Sequence, residues 1–136
     1  MKHILACLFV ALSTSSYSQH LDLNEVKKVI DNIVFPMDSA DIDGVVERTI
    51  FPFRVTGSEP YDEISFRASF DELFIHGLVR CLKSEANYQV ATPGDHTMFL
   101  AVCFSAPEGY DAAVLVFTKE DDRWMMQSMD LQAAID

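Results

Sequence analysis

Positive charge is scarce in this chain: 10 Lys and Arg stand against 21 Asp and Glu, a net charge of -11 over 136 residues. That balance argues against nucleic acid, whose binding draws on Lys and Arg to neutralise phosphates. It argues equally against a polybasic membrane anchor. Recognisable chemical motifs are missing too. The chain has no CxxC, HExxH or HxH spacing, which removes the usual metal-ligand patterns. It has no Gly-rich phosphate loop and no GxSxG nucleophile elbow. Internal repeats, low-complexity stretches and linkers are absent, and the length suits one domain. The longest apolar run is short of a membrane span.

What is present is core material. Apolar residues make up 49% of the chain, with ten Phe. This is enough apolar surface to offset chain entropy, so disorder is excluded and a bulky core is expected. The acids are spread along the sequence and read as a solvated, self-repelling surface.

The first residues follow the order of a secretory signal peptide. Lys2 and His3 precede the apolar stretch Ile4–Leu12, and Ser13–Ser18 is small and polar apart from Tyr17. The expectation is a leader over 1–18, cleavage before Gln19, and a single domain over 19–136 in a periplasm or outside the cell. Cys7 is not read as a lipidation site, because most of the apolar run follows it. Cys81 and Cys103 then remain. Both have apolar surroundings, and burial as free thiols is the expectation. A disulfide, allowed in an oxidising compartment, is the alternative.

The element order is helices, then strands. Asp22 and Glu25 have capping-box spacing, and Val26, Val29, Ile30 and Ile33 form one helical face. A helix is predicted over Leu23–Val34, stopped by Pro36. A second is predicted from Asp38 or Ser39 through Ile50, with Ile42, Val45, Val46 and Thr49 on one face, ended by Pro52. Phe51–Thr56 reads as extended. A third helix lies between Ser65 and Leu82, striped by Phe66, Phe70, Leu73 and Phe74, with a start at Ser69 as an option. Strands are predicted at Tyr88–Ala91, Thr97–Phe104, Asp111–Thr118 and Arg123–Leu131, the last three as an antiparallel meander. The fold class is α+β: N-terminal helices packed on a curved antiparallel sheet, a cone-shaped half-barrel. Trp124, Phe104, Phe117, Leu115 and Phe70 are the predicted core.

Two of these strands are apolar on both sides. Met98, Leu100, Val102 and Phe104 alternate with Phe99, Ala101 and Cys103. Likewise Ala113, Leu115 and Phe117 alternate with Val114 and Val116. A sheet with one wet face alternates apolar and polar, so both faces should be covered. The helices cover one; a partner, a second layer or an apolar ligand is expected on the other.

The helix–helix–extended start ending in Ile50-Phe51-Pro52-Phe53-Arg54-Val55 carries a family resemblance. So do Phe66…Phe70-Asp71-Glu72-Leu73-Phe74 and the ending Phe117-Thr118-Lys119…Asp122-Arg123-Trp124. Over Leu21–Leu131 the chain resembles the nuclear-transport-factor-like (cystatin-like cone) superfamily, which includes ketosteroid isomerase and polyketide cyclases, and within it small exported bacterial members. The resemblance implies a pocket inside the cone and dimers through the outer sheet face. It does not imply a reaction.

Proton-shifting enzymes of the superfamily are similar in holding a carboxylate and a phenol or second acid in the pocket. No motif carries those positions over. Tyr88, Tyr110, Asp95, Asp111 and Asp130 are the available groups, and each reads as a turn or surface residue first. His76 and His96 lack metal-ligand spacing, and His76 reads as a cation at a helix end. Cys81 and Cys103 have only Arg80 and Lys83 nearby and do not read as reactive thiols. Met98, Met125, Met126 and Met129 read as core filling ahead of an adaptable binding surface. No catalytic, cofactor or metal residue is assigned, and no cofactor is expected. The leading functional expectation is an exported, non-catalytic domain binding a small apolar or amphipathic molecule or a protein. An isomerase- or cyclase-type enzyme using the cone pocket, and a homodimeric interaction protein, are the alternatives.

Overall fold

The structure, a computed structural model, describes residues 21–92 and 97–133. The expected leader and Cys7 lie outside the described residues, as do Asp95 and His96.

Helix α1 (Leu23–Val29) starts where expected. Asp22 caps it by accepting the Asn24 N–H at 2.9 Å. Glu25 does not complete a capping box; its carboxylate points to other partners, described below. Pro36 does not stop the helix. The chain widens into a π segment (Ile30–Val34), in which Phe35 N–H reaches back five residues to the Ile30 carbonyl. It then continues as α2 (Phe35–Asp38), with Pro36 in the first turn of the resumed helix. A proline there costs little, because first-turn N–H groups have no helical partner to lose. Helix α3 (Ile42–Glu47) starts later and ends earlier than the periodicity suggested. Its N-cap is Asp41, which accepts the Gly44 N–H at 3.1 Å. A Cβ on Gly44 would collide with that cap carboxylate, so this glycine serves the cap.

Strand β1 (Thr49–Val55) contains Pro52, the residue expected to end a helix. The single third helix resolves into three: α4 (Glu63–Ala68), α5 (Phe70–Leu73) and α6 (His76–Ser84). A reciprocal Asp62–Ser65 capping box begins α4. The chain does restart after Ser69, without a side-chain cap bond. Strands β2 (Asn87–Ala91), β3 (Met98–Cys103), β4 (Ala112–Glu120) and β5 (Arg123–Gln132) follow as an antiparallel series. The sheet order is β1-β5-β4-β3-β2, with β1 added parallel to β5. A register shift between Val116 and Phe117 interrupts the β4–β5 ladder. Such an irregularity bends a sheet, which here stays open.

The helices pack on the inner face of this sheet. Phe99, Ala101, Cys103, Ala113, Leu115 and Phe117 join them in the main core, with Trp124, Met126 and Met129. Phe66 sits at the centre and is fully buried. It packs edge-on against Phe51, Phe53, Phe70 and Phe74 at centroid distances of 5.2–6.2 Å. Phe99 stacks on Trp124 at 4.3 Å. The inside of the cone is thus packed with phenyl rings.

Two expectations about the core change. Phe104 is not core but 77% exposed. It extends the Leu100–Val102 side of β3, facing away from the helices, one residue past the last paired position. Cys81 and Cys103 are buried as expected but not as free thiols: they form a disulfide that pins α6 to β3, with Cα atoms 6.0 Å apart.

Candidate functional site

With the interior filled, the accessible sites are clefts at the surface. One of them lies at the mouth of the cone, between the β1–α4 loop, α5 and the β3–β4 loop, with a volume of about 450 Å³. Its construction can be followed along the chain. Phe53 and Tyr61 exchange two backbone hydrogen bonds of 2.9 Å, which closes the segment between them into a compact loop. Gly57 turns that loop with φ +77°, a left-handed conformation that disfavours side chains. A Cβ there would also stand 3.2 Å from the Tyr110 hydroxyl. Thr56 ties the loop to β5, its Oγ1 accepting the Leu131 N–H at 3.1 Å.

The cleft has an apolar floor of Val55, Leu73 and Leu131, all buried. Its walls carry Tyr61, Tyr110, Glu72 and Glu108. The Ser58 hydroxyl donates to Tyr61 Oη at 3.3 Å. An apolar base with a few convergent polar groups is the usual make-up of a small-molecule site, and the volume lies in the usual range.

Further clefts of comparable volume occur among the described residues, and one of them, on the outer side of the sheet, is lined by Arg54, Met98, Thr118 and Glu120. One at the opposite end of the cone is lined by Glu25, Lys119 and Trp124, whose polar groups already satisfy one another. Glu25 Oε1 accepts from Lys119 Nζ at 2.9 Å and Trp124 Nε1 at 3.1 Å, and Oε2 pairs with Lys28 at 2.7 Å. The Lys28 and Lys119 ammonium groups, followed by the indole N–H, hold the Glu25 carboxyl down at about 2. This cluster fastens α1 to the β4–β5 hairpin. A cleft between α2 and α6 includes Asp38, which is paired with Lys83.

The outer face of the sheet carries a second apolar cluster, whose four central residues are themselves buried. Leu100, Val102, Val114 and Val116 make a separate apolar cluster there, with Met98 packed against it. Arg54 and Asp130 flank it by register, opposite Ser128 and Val114 respectively.

The residues weighed from sequence are scattered. Tyr110 lines the mouth cleft. Tyr88 instead donates its hydroxyl to the Leu82 carbonyl at 3.0 Å, and burial pushes its phenol well above the ordinary value. It latches β2 to α6. Asp111 is exposed, its N–H bonded to the Gln132 carbonyl. Asp130 is exposed on the outer sheet face. His76 is the first residue of α6, so the reading as a cation favoured at a helix C-terminus is corrected: it stands at the opposite end of the dipole. Met126 and Met129 are core, whereas Met98 belongs to the outer cluster. Among the described residues no three His, Cys, Asp or Glu side chains gather as metal ligands. No helix among them is long and apolar enough to cross a membrane. Sequence reasoning missed Tyr61, Glu72 and Glu108. The only local signals were the turn Gly57–Pro60 beside Tyr61 and Pro107-Glu108-Gly109.

No protein-family model matches the chain, and no curated protein does. Solved structures do. An NTF2-like protein of unknown function from Pseudomonas putida KT2440 superposes with a TM-score of 0.50 at 12% identity, covering 83% of this chain and 87% of that one. An NTF-2-like protein of unknown function from Shewanella oneidensis MR-1 gives 0.48 at 12% identity, over 82% and 99% of the two chains. An NTF2-like protein with a cystatin-like fold from Novosphingobium aromaticivorans gives 0.47 at 16%, over 95% and 87%. Helices followed by an open sheet of order β1-β5-β4-β3-β2, matched over most of both chains at a TM-score of 0.50, make this an NTF2-like fold.

Proposed function

We propose that this chain is an exported, non-catalytic binding domain that takes a small amphipathic molecule in the cleft at the mouth of its cone. The observation that carries this reading is the contrast between the plugged interior and the open mouth. Phe66 and its neighbouring rings occupy the place where a cone pocket would enclose a substrate. Acid–base chemistry of the isomerase type gains from an enclosed, dry site. Here Glu72 and Glu108 stand exposed on a rim. The leader-like residues 1–18 support export, and a buried disulfide suits an oxidising compartment.

The test is fluorescence titration of residues 19–136 with N-phenyl-1-naphthylamine, an apolar amine dye that brightens when it leaves water. Saturable binding is expected, and Ser58→Trp, which fills the cleft from an exposed position, should weaken it at least roughly tenfold, as expected when a well-formed pocket is lost. Unchanged binding in the variant, or none in the parent, contradicts the reading.

A second reading is favoured by Phe104, which stands exposed on the outer side of the sheet: a homodimer joined through the sheet faces. A two-fold interface must be self-complementary, and Phe104 shares that face with one basic and one acidic residue, both exposed, Arg54 and Asp130. Sedimentation velocity checks it. A dimer that Phe104→Lys converts to a folded monomer supports this reading, and a parent monomer at high micromolar concentration removes it.

A further inference from the structure

The mouth cleft has a chemical bias that its shape alone does not explain. No Lys, Arg or His lines it, whereas two carboxylates and two phenols do: Glu72, Glu108, Tyr61 and Tyr110. Among the described residues neither Glu72 nor Glu108 takes part in an ion pair. Elsewhere seven acids, among them Glu25, Asp38 and Asp122, have a Lys or Arg partner, and others such as Asp71, Glu85 and Asp130 have none; what sets the two glutamates apart is that they share one cleft lining with an apolar floor and no cation. The cleft therefore combines an apolar floor, tyrosine rings and uncompensated negative charge. The net charge of -11 adds a field of the same sign.

We infer that the ligand of this cleft is a small organic cation, with an ammonium or guanidinium head between Glu72, Glu108 and the tyrosines and an apolar body on Val55, Leu73 and Leu131. This rests on the cleft's being the binding site proposed above and names the class of molecule it selects. A cation gains from both the carboxylates and the electron-rich ring faces of tyrosine. An anion of the same size gains from neither and meets repulsion. The cleft, at about 450 Å³, leaves room for an aromatic or short aliphatic body beside the head.

The experiment is an amide-resolved NMR titration of residues 19–136 with three compounds of one shape: benzyltrimethylammonium, benzyl alcohol and 3-phenylpropionate. The cation should move the amides of Tyr61, Glu72 and Tyr110, the alcohol should bind more weakly, and the anion should not bind. Glu72→Gln should weaken the cation roughly fivefold, and the double variant with Glu108→Gln further, as expected for an ion pair near water. Glu85→Gln, at the far end of α6, should leave the affinity unchanged and so separate a local site from the general field. Equal binding of all three compounds at the cleft overturns the inference but keeps the amphipathic site. So does an equal loss in Glu85→Gln. If none of the three binds while the naphthylamine still does, the cation inference falls alone. If the naphthylamine fails as well, the site itself falls.

Discussion

The two faces of the central sheet are both apolar, and they differ in what meets them. On the inner face Phe99, Leu115, Phe117 and Met129 are packed against helices that contribute Phe66, Phe70 and Phe74, and the rings interlock at distances typical of edge-on pairs. On the outer face Leu100, Val102, Val114 and Val116 form a small aliphatic cluster of their own, with half-buried Met98 at its side. Aromatic bulk fills a volume; the outer cluster, one leucine and three valines, is small and itself buried. The inner face spends the space that a cone could have kept for a ligand. The binding site proposed above lies instead at the mouth, where loops rather than strands set the walls.

The largest effect should come from breaking the inner side. Phe66→Ala removes a fully buried ring that touches four others, and should cost about 3–5 kcal/mol in urea unfolding. A cost below about 1 kcal/mol would mean the interior is loosely packed and the contrast between faces is weaker than drawn. Second in size is the disulfide, which ties α6 to the inner side of β3 across 22 residues of chain. Replacing both cysteines by alanine should lower stability by about 3 kcal/mol, through the longer reach of the unfolded chain. A double variant as stable as the parent would show that the bond adds nothing to the packing of Cys81 and Cys103 themselves.

The smallest effect concerns the fastening of α1 to the sheet. A carboxyl held at about 2 from an ordinary 4.5 contributes stability that is full above about pH 4.5 and is lost as the pH falls toward 2. Glu25→Gln should therefore cost on the order of 1 kcal/mol at neutral pH, since its partners Lys28 and Lys119 remain partly in water. The difference from the parent should shrink through about pH 3 and vanish below about pH 2. A difference that persists there would assign the loss to packing rather than charge.

Strand pattern and punctuation in the sequence were enough to place β3, β4 and β5, because Pro, Gly and acidic turns bound long apolar alternations. They also told the two faces apart, since alternation alone assigns Leu115 and Val116 to opposite sides. Pro36 misled because a π segment lets a helix absorb a proline, and that depends on five-residue hydrogen bonding with no sequence mark. Phe104 misled because its side of the strand was apolar, while its coverage depended on where pairing stops. The two cysteines are 22 positions apart, and only the packing of α6 on β3 brings them together. The mouth cleft was illegible for the same reason. Tyr61, Glu72 and Tyr110 come from three separate segments, joined by the Phe53–Tyr61 bridge and the Gly57 turn.

The most direct test of a filled cone with binding at its mouth is methyl and amide NMR of residues 19–136 under xenon pressure. Xenon enters empty apolar cavities that exclude water. A filled interior predicts that shifts stay at the surface clefts, with Leu73 and Leu131 responding and the neighbours of Phe53, Phe66 and Phe117 silent. Saturable shifts centred on Phe66 and Leu115 would reveal an internal cavity and contradict the account.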